Sequence, residues 1–128
     1  MERPVQELPV AWARLRVDVN CGLRRGGWYR VVQVTGVEAV LEVTPEPVPV
    51  PRRLLETVFR RPFRWSIVPR PRDARNVPKG WGDRYAVCPV CSARAPIKGH
   101  PADLGCPRCH GVFGIAWDEQ YLAPGANP

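Results

Sequence analysis

No stretch of this chain approaches the ~18 consecutive apolar residues that a membrane-crossing helix requires, so no transmembrane helix is expected. The opening residues, Met1-Glu2-Arg3-Pro4-Val5-Gln6-Glu7, lack the basic-then-apolar layout of a signal peptide. A cytoplasmic location without membrane association is expected. Histidine is scarce, with two residues, and neither has an obvious acid partner, although Asp103 follows His100 by three positions. There is no Gly-rich phosphate loop and no paired carboxylate suited to acid–base work. A non-enzymatic protein without a small-molecule substrate is therefore expected. Long helices are disfavoured as well. The 16 prolines are about twice the usual ~5% share, and proline breaks helices.

What the chain does contain is a series of short β signals. Its 128 residues fit one domain or two very small ones. Domains below ~70 residues rarely bury enough apolar surface to stand without a staple such as a metal. Residues 1–9 read as a leader. Leu15, Val17 and Val19 then alternate with Arg14, Arg16 and Asp18, the period of a half-buried strand. Asn20-Cys21-Gly22 breaks it, and Arg24-Arg25-Gly26-Gly27 reads as a flexible loop. Cys21 is expected to pack as a small apolar residue near the turn. Trp28 to Val34 is rich in aromatic and β-branched residues and predicts a second strand. Val37, Ala39, Leu41 and Val43 form the apolar face of a third, with Glu38 and Glu42 outside. Val48 to Val50 and Glu56 to Arg60 predict a fourth and a fifth. Five short antiparallel strands in about fifty residues predict a small barrel over residues 10–60.

Two stretches in this region resemble the SH3-like barrel family. Gly27-Trp28-Tyr29-Arg30-Val31 looks like the paired aromatics that open a central strand of that fold. Val50-Pro51-Arg52-Arg53-Leu54-Leu55-Glu56-Thr57-Val58 looks like the stretch before its last strand, where the resemblance implies a 3₁₀ turn. Leu54 replaces the aromatic of that pattern, and no acidic first loop is present. The resemblance thus implies a barrel but not polyproline-peptide binding. Many SH3-like barrels meet RNA, DNA or other proteins.

The net charge of +7 is concentrated in one segment. Residues 1–51 hold six Arg against six acids, and residues 85–128 hold three basic groups against three acids. Residues 52–84 hold nine Arg and Lys79 against Glu56, Asp73 and Asp83, which leaves all seven excess charges there. Within it, residues 61–84 read as a linker whose prolines favour extended backbone. Phe59, Phe63, Trp65 and Trp81 are interleaved with the arginines. Guanidinium groups grip phosphates and aromatic faces stack on exposed bases, a combination suited to single-stranded or looped RNA. The candidate nucleic-acid-binding residues are Arg52, Arg53, Arg60, Arg61, Arg64, Arg70, Arg72, Arg75, Lys79 and Trp81. The alternative is a solvated connector whose aromatics pin it between two modules; Trp65, followed by Ser66-Ile67-Val68, fits that role better than base stacking.

Cys88-Pro89-Val90-Cys91 and Cys106-Pro107-Arg108-Cys109 repeat one Cys-Pro-x-Cys motif, with fourteen residues between the inner cysteines. Two intervening residues let both thiolates of a pair face one ion, in a turn whose amides point at the sulfurs. Two such turns supply four tetrahedral ligands and predict one structural zinc ion on Cys88, Cys91, Cys106 and Cys109. Four thiolates on a divalent ion leave negative charge, which Arg94, Lys98 and Arg108 are placed to offset. His100 and His110 are expected outside the ligand set. Iron in a rubredoxin-like site and redox-active thiols are the competing assignments.

These motifs resemble the zinc ribbon family, over about residues 85–118. Tyr85-Ala86-Val87 would lead into the first knuckle, Ala95-Pro96-Ile97-Lys98 would be a strand, and Val112 to Trp117 the closing strand. Ser92 and His110 stand where ribbons often carry glycine. The family is widespread in transcription factors, RNA polymerase subunits, ribosomal proteins and nucleic-acid enzymes.

The expected architecture is all-β: an SH3-like barrel at 10–60, a basic Pro/aromatic linker at 61–84, a zinc ribbon at 85–121 and a tail at 122–128. The expected function is RNA or DNA binding within a larger transcription or translation complex. The alternative is a protein-interaction adaptor whose basic linker lies on a partner.

Overall fold

The computed structural model describes residues 10–122; the expected leader and the tail residues 123–128 lie outside them. The described chain is all-β. It forms strands β1 (Trp12–Leu15), β2 (Tyr29–Val34), β3 (Glu38–Leu41), β4 (Val48–Pro51) and β5 (Leu55–Val58) in its first half. The second half forms β6 (Arg64–Pro69), β7 (Arg84–Val87), β8 (Arg94–Pro96), β9 (Asp103–Gly105) and β10 (Val112–Ile115). The only helical pieces among the described residues are two 3₁₀ turns, Arg52–Leu54 and Lys79–Trp81, each opened by a proline. No helix among them is long and apolar enough to cross a membrane.

The first five strands make a sheet in the order β4-β3-β2-β1-β5, antiparallel throughout and curled into a half-barrel. Ala39 and Leu41 of β3 point into its core with Ala13, Leu15, Val31, Val50 and Leu55, as the alternation of β3 predicts. Val37 falls at the preceding turn and is exposed. Cys21 packs against this core. Pro51, with φ fixed at −56°, heads the turn at Arg52–Leu54.

Strand β1 departs from the expected pattern. It runs Trp12–Leu15 rather than on to Val19, and Arg14 on its supposedly solvated side is buried. The second half of the chain covers that side. The guanidinium of Arg14 pairs with Glu56 and Glu119, donates to Ser66 Oγ at 2.7 Å, and lies over the rings of Trp28 and Tyr121. Buried charge is tolerated only when it is paired and hydrogen-bonded, and both conditions are met.

The second sheet has the order β8-β7-β6-β10-β9. Here the expected boundary moves. Residues 61–84 are not a free connector, because β6 lies at the centre of this sheet. It runs antiparallel to β7, from Ser66↔Val87 to Pro69↔Arg84, and parallel to β10, through Gly114↔Arg64 and Ile115↔Trp65. Trp65 is fully buried among Cys88, Cys106 and Ile115 and donates its indole N–H to Leu104 O at 2.8 Å. The physical reason is local. Trp65-Ser66-Ile67-Val68 is a compact β-forming run, and the prolines on either side favour the extended backbone a strand needs.

The halves meet over a third cluster of Val68, Val77, Tyr85, Val87 and Tyr121. The loop Arg24-Arg25-Gly26-Gly27, expected to be flexible, is held against it. Gly26 adopts φ +83°, and a Cβ there would stand 2.5 Å from Val68 Cγ2. Only a glycine fits so close an approach in that conformation.

Candidate metal centre and basic cleft

Each Cys-Pro-x-Cys motif forms a tight turn beside the strand that precedes it. In the first, Cys88 N donates to Ala93 O at 2.9 Å and Ser92 N to Cys88 O at 3.1 Å. In the second, Cys106 N donates to Gly111 O at 2.8 Å and His110 N to Cys106 O at 3.0 Å. The two turns superpose residue for residue in this pattern. Ser92 and His110 both take the left-handed backbone, at φ 61° and 65°, which explains why glycine suits these positions. Amides approach the leading sulfur of each turn: Val90 N lies 3.4 Å from Cys88 Sγ, and Arg108 N and Cys109 N each lie 3.4 Å from Cys106 Sγ.

The facing turns bring the four sulfurs within 4.8 Å of one another. Across the gap, Cys88 Sγ lies 3.8 Å from Cys109 Sγ and Cys91 Sγ lies 3.5 Å from Cys106 Sγ. A tetrahedron with metal–sulfur bonds of ~2.3 Å has edges of about 3.8 Å. The donor set therefore fits a metal ion in both chemistry and dimensions. Neither histidine joins it; His100 instead stacks on Trp117 at 3.7 Å.

The thiols are not equivalent. Burial pushes Cys88 up to about 12, although the amides of Cys91 and Val90 act against it. Burial raises Cys91 too. Burial is the largest single influence on Cys106 and raises it, but the amides of Cys109 and Arg108 together with the Cys91 and Cys109 side chains bring the thiol down to about 7. Cys106 thus ionises more readily than Cys88 or Cys91, and a bound cation would draw protons from such thiols.

The ten residues singled out for nucleic acid do not form one patch. Arg70 is a structural clamp, donating to Gly82 O, Val77 O and Pro78 O. Arg64 pairs with Asp118 at 2.5 Å and holds its carboxyl below the usual range. Arg52 donates to Thr35 O. Trp81 packs against the third cluster rather than standing free. Arg53, Arg60, Arg72 and Lys79 are exposed. Of these ten, only Arg61 and Arg75 reach a cleft of ≈ 1190 Å³ between the two sheets.

Five further arginines line that cleft. Arg24, Arg25 and Arg30 come from the first sheet and its loop, and Arg94 and Arg108 from the second sheet with its two cysteine turns, the metal lobe. The total is seven guanidinium groups against two carboxylates, Glu42 and Asp73. Arg25 is engaged by Asp18 and Asp73, and Arg24 anchors the first knuckle by donating to Ser92 O at 2.6 Å. Arg30, Arg75 and Arg108 are exposed. Trp12, half-buried, forms part of the wall, with the guanidinium of Arg61 5.7 Å from its ring centre. Charge counting along the sequence missed this site because acids such as Glu119 and Glu56 cancel arginines on paper while facing Arg14 elsewhere.

No protein-family model, no curated protein and no solved structure matches the chain.

Proposed function

We propose that this chain is a zinc-containing, nucleic-acid-binding accessory subunit of a transcription or translation complex, with RNA the favoured ligand. The observation that carries it is the cleft, in which seven arginines face two carboxylates. A concentrated positive recess is the electrostatic counterpart of a phosphate backbone. The metal turns form one wall of that recess through Pro89, Val90 and Cys91, so the ion's role is to hold the wall in shape. Zinc suits four sulfurs in a closed tetrahedron, which leaves no open position for catalysis. That closure supports a binding role over an enzymatic one. The likeness of the paired turns to zinc ribbons and the strand order of the first sheet with its 3₁₀ turn, which suits an SH3-like barrel, point the same way. A reducing compartment such as the cytoplasm suits five free thiols.

The test is a pull-down of native complexes with and without nuclease, together with native mass spectrometry of the purified chain. One zinc per chain and nuclease-sensitive partners are expected. A specific observation keeps a second reading in play: Val32, Val34 and Val37 stand exposed on the β2–β3 hairpin, an apolar patch suited to a protein partner. Under that adaptor reading, partners stay bound after nuclease and the purified chain has no affinity for RNA or DNA.

A further inference from the structure

We infer that the cleft takes a single strand of nucleic acid and not a duplex; this rests on the nucleic-acid reading above and specifies its ligand. The first observation is where the charge lies. The arginines line a recess between two sheets rather than a convex face. A duplex is a stiff rod on the scale of a small protein and cannot follow its phosphates into such a recess, whereas a single strand can. The second observation is a pair of exposed aromatics close in sequence to a cleft arginine. The segment Phe59-Arg60-Arg61-Pro62-Phe63 joins the two sheets, and its central residue, Arg61, lines the cleft beside Trp12. Phe59 and Phe63 flank it and are 67% and 68% exposed. The Phe59 ring and the Phe63 ring, which has the Arg64 guanidinium 5.7 Å from its centre, are thus open to unpaired bases, which stack on any aromatic face. A duplex hides those faces in its own stack and gains nothing from them. Third, the inserted helix by which many proteins read a duplex groove has no counterpart among the described residues. The longest helical pieces among the described residues span three residues each.

The assignment is therefore specific. Phosphates lie on Arg30, Arg75 and Arg108, three of the four exposed arginines of the cleft; the fourth, Arg61, lies by the Trp12 ring. Bases stack on Phe59 and Phe63, two residues on either side of Arg61 in the chain.

The experiment uses the full metal-loaded chain and labelled oligonucleotides of about a dozen residues, within the usual span of single-strand sites. Single-stranded RNA and DNA are compared with duplexes of the same sequence. The single strands should bind at least about tenfold more tightly. Phe59→Ala with Phe63→Ala should weaken single-strand binding by roughly 5- to 150-fold per stacked base lost and leave the salt dependence unchanged. Arg30→Gln, Arg75→Gln and Arg108→Gln together should lower both affinity and salt dependence. All five side chains are exposed, and an unchanged metal content confirms that the variants fold. Duplex binding as tight as single-strand binding overturns the inference and leaves the nucleic-acid reading standing. Unchanged binding in both variant sets removes the cleft as the site. Binding to neither form removes the nucleic-acid reading itself.

Discussion

The backbone N–H of Gly26 donates to the hydroxyl of Tyr121 at 3.0 Å, across 95 residues of sequence. The same hydroxyl donates to the carbonyl of Leu15. One phenol therefore ties the loop before β2 and the end of β1 to the segment that follows the metal lobe. The cleft exists because these contacts fix the two sheets in one arrangement.

Tyr121→Phe should cost about 1–3 kcal/mol, because it strands a buried donor and a buried acceptor. Urea midpoints measure the loss. The pH dependence has a definite sign. Burial raises the Tyr121 pKa above its ordinary value, so the folded state favours the protonated phenol. Its contribution is fully present below the unfolded pKa of ~10 and is lost as pH rises through the higher folded value. The parent should lose stability above pH ~10 more steeply than Tyr121→Phe. Parallel alkaline profiles would contradict this.

Gly26→Ala should destabilise by more than ~1 kcal/mol, since it combines a strained left-handed backbone with a Cβ 2.5 Å from Val68 Cγ2. Gly36→Ala is the control, because nothing lies within 4 Å of its added carbon. Equal thermal midpoints for the two variants would show that the sheets do not press on each other at Gly26.

Chelation, or Cys88→Ser, should unfold the metal lobe, because Cys88, Cys91 and Cys106 share one cluster with Trp65 and metal binding and folding are linked in such sites. The first sheet has its own core without any of the four ligands, so amides of β2 and β3 should stay protected from hydrogen exchange. Metal affinity should fall as pH falls, since protons compete for the thiols. Cys21→Ser should leave metal content unchanged. Loss of protection across β2 and β3 on chelation would mean that the halves fold as one unit.

The four-cysteine cluster was legible in the sequence because its determinants are local. Cys-Pro-x-Cys sets both the turn and the direction of its sulfurs, and the structure brings Cys88, Cys91, Cys106 and Cys109 together as spaced. The strands were legible where apolar alternation meets a single core, as at Ala39 and Leu41. Reading failed where a second layer covers the outer face. Arg14 looks solvated in a half-buried strand, yet Ser66, Glu119 and Tyr121 arrive from more than fifty residues away to bury it. β6 was hidden for a similar reason, since its flanking prolines and arginines resemble a linker while Trp65-Ser66-Ile67-Val68 needs β7 and β10 to become a strand. The cleft was not legible at all. Its arginines come from segments of zero net charge as well as from the basic one, and only tertiary packing collects them.

The salt dependence of RNA affinity tests the central claim most directly. Each phosphate contact to a single strand contributes about 0.7 to the slope of log affinity against log salt. About four contacts predict a slope near −3, and the Arg30→Gln, Arg75→Gln, Arg108→Gln variant should lose about two units of it. A purified, metal-loaded chain that binds no RNA or DNA at low salt, or a variant whose slope matches the parent's, would contradict the assignment of the cleft to nucleic acid.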